Sequence, residues 1–186
     1  MVAVHVAQLL KEHTGATRAY EFDEPSDTLA PDVALASSLR GQARLLRTPR
    51  GILTTCDYQT EVIVECSRCL TDVVTAVSGR VEEEFVPSQD LRSGEWIPET
   101  NENRDTRIDE HNVLNLDEVI RQDVLVNIPF RTLCQADCQG LCEICGTNLN
   151  LSACRCDRSV PTEPEEPIGR LGEALSKKLQ RRAKGV

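Results

Sequence analysis

The sequence predicts an α+β fold: a small antiparallel β-sheet or open barrel with a few helices and a cysteine-rich module toward its C-terminal end. Three observations predict it. Between residues 41 and 86 short β-branched runs alternate with period two. Leu116, Val119, Ile120 and Val124 recur at helical spacing. Six cysteines fall within the 23 residues 134–156. The 186 residues are 40% hydrophobic and 27% charged, which argues against a wholly disordered chain and allows one body plus a small module. With Phe 3, Tyr 2 and Trp 1, the core must be built from Val, Leu, Ile and Ala.

In chain order, the first stretch reads as a short strand or helix ending near His13. A strand from Arg18 to Asp23 follows, then the turn Asp23-Glu-Pro-Ser-Asp27. The β region is punctuated by Thr48-Pro-Arg-Gly51 and by Cys66-Ser-Arg-Cys69. In its last run Val73, Val77, Val81 and Phe85 share one parity and Arg80, Glu82 and Glu84 the other, as one buried face requires. Residues 87–112 carry Pro, Gly, Asn and acidic side chains without apolar periodicity and read as a flexible acidic loop, or as an acidic surface for a basic partner. Asn115, with Glu118 three residues on, predicts a capping box, and Pro129 closes the helix. Pro161, Pro164 and Pro167 among glutamates mark an extended linker. Ile168, Leu171, Leu175 and Leu179 then share one face of a short basic helix. The organisation expected is a β-rich body over 1–130, a cysteine-rich module over 131–160, and a linker with its basic amphipathic helix over 161–186.

The net charge of −9 disfavours unspecific attraction to nucleic acid, but it is unevenly spread. Residues 82–118 hold twelve acidic side chains against three Arg, whereas 168–186 hold six basic against one acidic. The start has no basic leader, and no run of about 18 apolar residues follows. A cytoplasmic chain is therefore expected, in which thiols stay reduced and clustered ones hold metal.

Zinc takes four tetrahedral ligands, and a C-x2-C turn supplies two. Eight thiols divide most simply into two sites. Cys142, Cys145, Cys154 and Cys156 close a local knuckle, while Cys66, Cys69, Cys134 and Cys138 tie the sheet to the segment after Pro129. A single site from Cys134, Cys138, Cys142 and Cys145 also fits the spacing. Cys56 is left over and reads as a buried strand thiol. Gly140 and Gly146 permit the positive φ that ligand turns use.

The segments Cys66-Ser-Arg-Cys69-Leu70, Val81-Glu-Glu-Glu-Phe85 and Ile128-Pro129 precede the string Cys138-Gln-Gly-Leu-Cys142-Glu-Ile-Cys145-Gly-Thr-Asn-Leu-Asn150, with Cys154-Arg-Cys156 after it. Together they resemble the YceD family of large ribosomal RNA subunit accumulation proteins. The resemblance implies a bacterial or plastid housekeeping protein needed for accumulation of the large-subunit ribosomal RNA, through RNA processing or ribosome assembly. It implies no catalytic activity.

The leading functional expectation is a non-enzymatic factor with structural zinc. Its partner is ribosomal RNA or a pre-ribosomal particle, met directly or through a ribosomal protein, with neither a membrane nor a small-molecule substrate involved. Arg68, Arg155 and Arg158, with Lys177, Lys178, Arg181, Arg182 and Lys184, are the candidates for phosphate contact; Arg beside a four-thiolate centre can equally balance its charge. A thiol and zinc redox switch, or an acidic adaptor for a ribosomal protein, are the alternatives. His5, His13 and His111 lie in unrelated segments outside any catalytic motif, so an enzyme is not expected.

Overall fold

The structure, a computed structural model, describes residues 1–29, 31–90, 93–100 and 103–156. The predicted linker and basic helix, with Arg158, Lys177, Lys178, Arg181, Arg182 and Lys184, lie outside the described residues. The chain forms two compact units, Met1–Leu141 and Cys142–Val186. Cys134 and Cys138 lie beside Cys66 and Cys69 in the first unit.

The first unit is mostly sheet with two helices. Its elements are β1 (Ala3–His5), α1 (Ala7–Lys11), β2 (Thr17–Glu24), β3 (Leu39–Arg47), β4 (Ile52–Glu65), β5 (Asp72–Pro87), β6 (Arg107–Ile108), β7 (Val113–Asn115) and α2 (Asp117–Asn127). The strands β2 to β5 form an antiparallel meander, and β6 adds to β5 in parallel. A two-stranded pair of β1 and β7 stands apart from it. The sheet is open, with order β2-β3-β4-β5-β6. Residues 87–112, read from sequence as structureless, supply β6 and a bridge between Gln89 and Trp96, and Arg107 lies 5.2 Å over the Trp96 ring. Two-residue pairing carries no period-two signal, which is why it was invisible in the sequence.

Alternation along the long strands places one parity in the core. Leu45 of β3, Ile52 and Val62 of β4, and Phe85 of β5 are buried there with Leu9, Ile108, Leu114 and the stripe Leu116, Val119, Ile120 and Val124. The N-terminus of α2 is built differently from a capping box. Asn115 Oδ1 accepts from the Asp117 N–H at 2.8 Å, but Glu118 turns to Arg121 instead of back to Asn115. That guanidinium, with Gln122, draws the Glu118 carboxyl down to about 2.

α2 crosses β5 at Gly79, where the Tyr58 hydroxyl donates to Asp123 Oδ2 at 2.7 Å. A Cβ at position 79 would overlap both partners of that bond. Gly79→Ala is therefore expected to part α2 from the sheet and destabilise the body by about 1–3 kcal/mol. Thermal melting checks it; an unchanged midpoint would show that the helix can yield.

Among the described residues, none forms a layer on the other face of the sheet. Across its strands Asp23, Arg40, Gln59 and Ser78 stand in one row, and Glu21, Gln42, Asp57 and Arg80 in the next. Beyond Gln59 the β4–β5 hairpin outruns β3 by six residues, roughly 20 Å of strand. Among the described residues a short stretch meets it there, with Leu35 bridged to Val62. At the end of this arm sits the turn that carries Cys66 and Cys69.

Candidate metal centre

A hairpin tip this far from the main core has little apolar packing. Beside Cys66, Cys69 and Cys138 it has the half-buried Val73, Leu133 and Leu141. What gathers there instead is sulfur. The Sγ atoms of Cys66, Cys69, Cys134 and Cys138 all lie within 4.8 Å of one another, with Cys66 to Cys138 at 3.8 Å and Cys69 to Cys134 at 3.5 Å. The segment bringing the last two is laced to the turn by backbone. Ser67 N–H donates to Thr132 O at 2.8 Å, Leu141 N–H to Arg68 O at 3.1 Å, and Cys134 N–H to Cys66 Sγ at 3.4 Å. Arg68 donates from Nη1 to Cys138 O at 2.8 Å, so its guanidinium helps to hold the turn against that segment.

The second unit holds the other four. Cys142, Cys145, Cys154 and Cys156 likewise lie within 4.8 Å, with Cys142 and Cys154 at 3.4 Å. The single site from Cys134, Cys138, Cys142 and Cys145 is not the arrangement found: the thiols group in the other way the spacing allows, one local, one tying the hairpin to a distant segment. Cys56 is fully buried in β4, its thiol pushed up to about 12 by burial, far from reactive range. Arg155 is exposed in the second unit.

The two groups are built on one turn used twice. In Cys66-Ser-Arg-Cys69-Leu70-Thr71 the Cys66 N–H donates to Thr71 O at 2.8 Å, and Leu70 N–H to Cys66 O at 3.0 Å. In Cys142-Glu-Ile-Cys145-Gly146-Thr147 the same two bonds recur, at 2.9 Å each, from Cys142 N to Thr147 O and from Gly146 N to Cys142 O. The residue after the second cysteine is left-handed in both, φ +58° at Leu70 and +70° at Gly146. Glycine adopts this at no steric cost and leucine does not, so the first turn is held by its surroundings. The threonine two residues beyond completes the pattern, with Thr71 Oγ1 2.7 Å from Cys69 Sγ and Thr147 Oγ1 3.1 Å from Cys145 Sγ. Sequence reasoning passed over both threonines. Their equal offset from a C-x2-C pair is the signal that identifies them.

These turns prepare thiolates. The N–H groups of Arg68 and Cys69 draw the Cys66 thiol down to about 6, and those of Cys145 and Ile144 do the same for Cys142. The threonine hydroxyls lower Cys69 and Cys145. The opposing thiols move the other way: shared hydrogen bonds with Cys69 and Cys145 push Cys134 and Cys156 up to about 12. Four sulfurs so close cannot all be anions without a cation among them. A tetrahedral zinc with bonds of about 2.3 Å sets its sulfurs about 3.8 Å apart, close to the separations found, and soft thiolates suit that ion. The residues present could hold such an ion in each group.

The groups differ in shelter. Cys66, Cys69 and Cys138 are buried and Cys134 exposed; in the second group only Cys142 is buried, and Cys145 is exposed.

Comparison with known proteins gives the context. A family profile described as large ribosomal RNA subunit accumulation protein YceD matches residues 54–169. A chloroplastic protein of Arabidopsis thaliana, the YCED homolog 1 of that description, is 32% identical over 65 residues, covering 35% of this chain and 20% of the relative. Uncharacterized proteins of Mycobacterium bovis and Mycobacterium tuberculosis are 31% identical over 106 residues, covering 57% of this chain and 49% of theirs. The match thus spans half or less of the length of these relatives. No solved structure matches at a significant level. The family profile covers more than half of the chain, with most of strand β4, the whole of β5 and α2, and all eight clustered cysteines inside it, and the chain belongs to the YceD family.

Proposed function

We propose that the chain is a non-catalytic factor in the accumulation of large-subunit ribosomal RNA, acting in its processing or in ribosome assembly and carrying two structural zinc ions. The observation that carries the reading is the pair of closed four-thiolate groups in a chain of this family. Four protein ligands leave a zinc no position for water or substrate, so the metal holds structure and does no chemistry. Cys66, Cys69, Cys134 and Cys138 would fix the hairpin arm; Cys142, Cys145, Cys154 and Cys156 would fold the second unit. His5, His13 and His111 are exposed and lie on separate elements or loops, which supports a non-enzymatic role. No helix among the described residues is long and apolar enough to cross a membrane.

Depleting the protein in its host and measuring both ribosomal RNAs tests the reading. The ratio of large- to small-subunit RNA should fall, recover with the wild-type chain and not with Cys66→Ser. An unchanged ratio would sink it. The exposure of Cys145 favours a second reading, in which oxidation of that group releases zinc and switches partner binding. Retention of the second zinc in dilute peroxide would rule this out.

A further inference from the structure

The face of the five-stranded sheet that no layer among the described residues covers has a composition of its own. All four aromatic side chains of these strands sit on the opposite parity: Phe85 and Tyr58 are buried, and Tyr20 and Phe22 pack against the core. The open face therefore presents no ring on which a base could stack. Two of its guanidiniums face carboxylates across the strands, Arg40 at 3.1 Å from Asp23 and Arg80 at 3.9 Å from Asp57, and a third, Arg44, is exposed on the same face of β3. Carboxylates remain in excess, most of all along the arm, where Glu61, Glu65 and Asp72 are exposed on this face. Such a field repels phosphate.

Amid those carboxylates stands an apolar pair. Ile63 and Val74 are directly opposed across β4 and β5 and are 40% and 57% exposed. One pair inward lies a concavity of about 570 Å3, where Ser37, Ser38, Arg40, Gln59, Glu61 and Ser78 mix with the apolar Ala76 and Val77. Its hydroxyls, amide and charged groups match the hydrogen-bonding needs of an extended backbone. The face thus offers, side by side, a trough of mixed polarity, an apolar step and a carboxylate rim.

We infer that this open face docks a lysine- and arginine-rich polypeptide segment with an apolar side chain that rests on Ile63 and Val74. Charge complementarity selects the partner: the rim attracts a polycation, and the absence of aromatic groups on this face disfavours single-stranded RNA. The apolar pair sets the register, because a purely ionic surface would let such a segment slide. This deepens the assembly reading above, giving the factor a basic protein partner, and it rests on that reading only for the partner's place in the cell.

The test uses the full zinc-loaded chain and a fluorescently labelled Lys/Arg-rich peptide with one central leucine, followed by anisotropy. Glu61→Lys with Glu65→Lys should weaken binding at least about tenfold, while Glu99→Lys with Glu110→Lys, in the segment before β7, should change it less than about threefold. Ile63→Ser with Val74→Ser should weaken the leucine peptide and leave a leucine-free peptide unaffected. Melting temperature and zinc content confirm that each variant is folded. Equal losses from both charge reversals would reveal mere bulk charge and overturn the proposal, as would indifference to the apolar pair. Displacement of the peptide by an RNA oligonucleotide whose binding depends on the same residues would assign the face to RNA instead. None of these outcomes alters the ribosomal RNA ratio in depleted cells, so the two readings fail separately.

Discussion

Replacing Cys66 by Ser should lower the zinc content from near two to near one per chain and set the hairpin arm loose while the rest of the sheet stays folded. The reasoning runs from packing. Around the arm's tip, three half-buried aliphatic side chains and the cysteines are the apolar contacts, whereas the base of the same hairpin is fixed by Phe85, Ile108 and Ile120 in the main core. A structural zinc contributes its binding free energy directly to the segment that it closes, and a three-ligand remnant loses most of it. Amide exchange over residues 62–76 should then accelerate on the order of a hundredfold, and that of β3 and α2 should change little. Metal content by mass spectrometry and exchange by the same method decide the matter. A variant that kept both zincs and a protected tip would show that the arm stands on hydrogen bonds alone.

The second large effect is in the order of metal loss. Both groups rest on the same turn, so their ligand chemistry is alike, but one is mostly buried and the other is open at Cys145. A chelator must reach the metal as sulfurs open in turn, and exposure sets how often they do. Zinc should leave in two phases whose rates differ at least about tenfold, the fast one from the second unit. Cys145→Ser should abolish the fast phase and Cys138→Ser the slow one. A single phase, or the reverse assignment, would mean that burial does not control release.

Much of this was legible in the sequence, for reasons that can be named. The parity of Val73, Val77, Val81 and Phe85 follows from strand geometry, and burial bears it out at Val77, Val81 and Phe85. The stripe from Leu116 to Val124 is buried as read. The grouping of eight thiols is one of the two that ligand number and spacing allowed. What was not legible depends on neighbours that the sequence does not name. The left-handed Leu70 looks like an ordinary residue until its turn is laid over the one at Gly146. Arg68 reads as a free cation for phosphate, but its reach to Cys138 O depends on a segment 70 positions away. The acid-rimmed sheet face is assembled from four strands, and its character is visible only once they are in register.

With zinc in both groups as proposed, the length of chain that each group closes would set the order of metal uptake. In the second unit the bonded cysteines Cys142 and Cys154 are 12 positions apart, whereas Cys66 and Cys138 are separated by 72. Closing the longer loop from an unfolded chain costs about 1.6 kcal/mol more by chain statistics, before any strand has formed to help it. The local turn can therefore capture zinc from a chain that has not yet folded, while the distant group must wait for the β4–β5 hairpin to bring its tip into being. On the two-zinc reading, the first metal would report only that the 15 residues 142–156 have closed on themselves, and the second that the β4–β5 hairpin has formed.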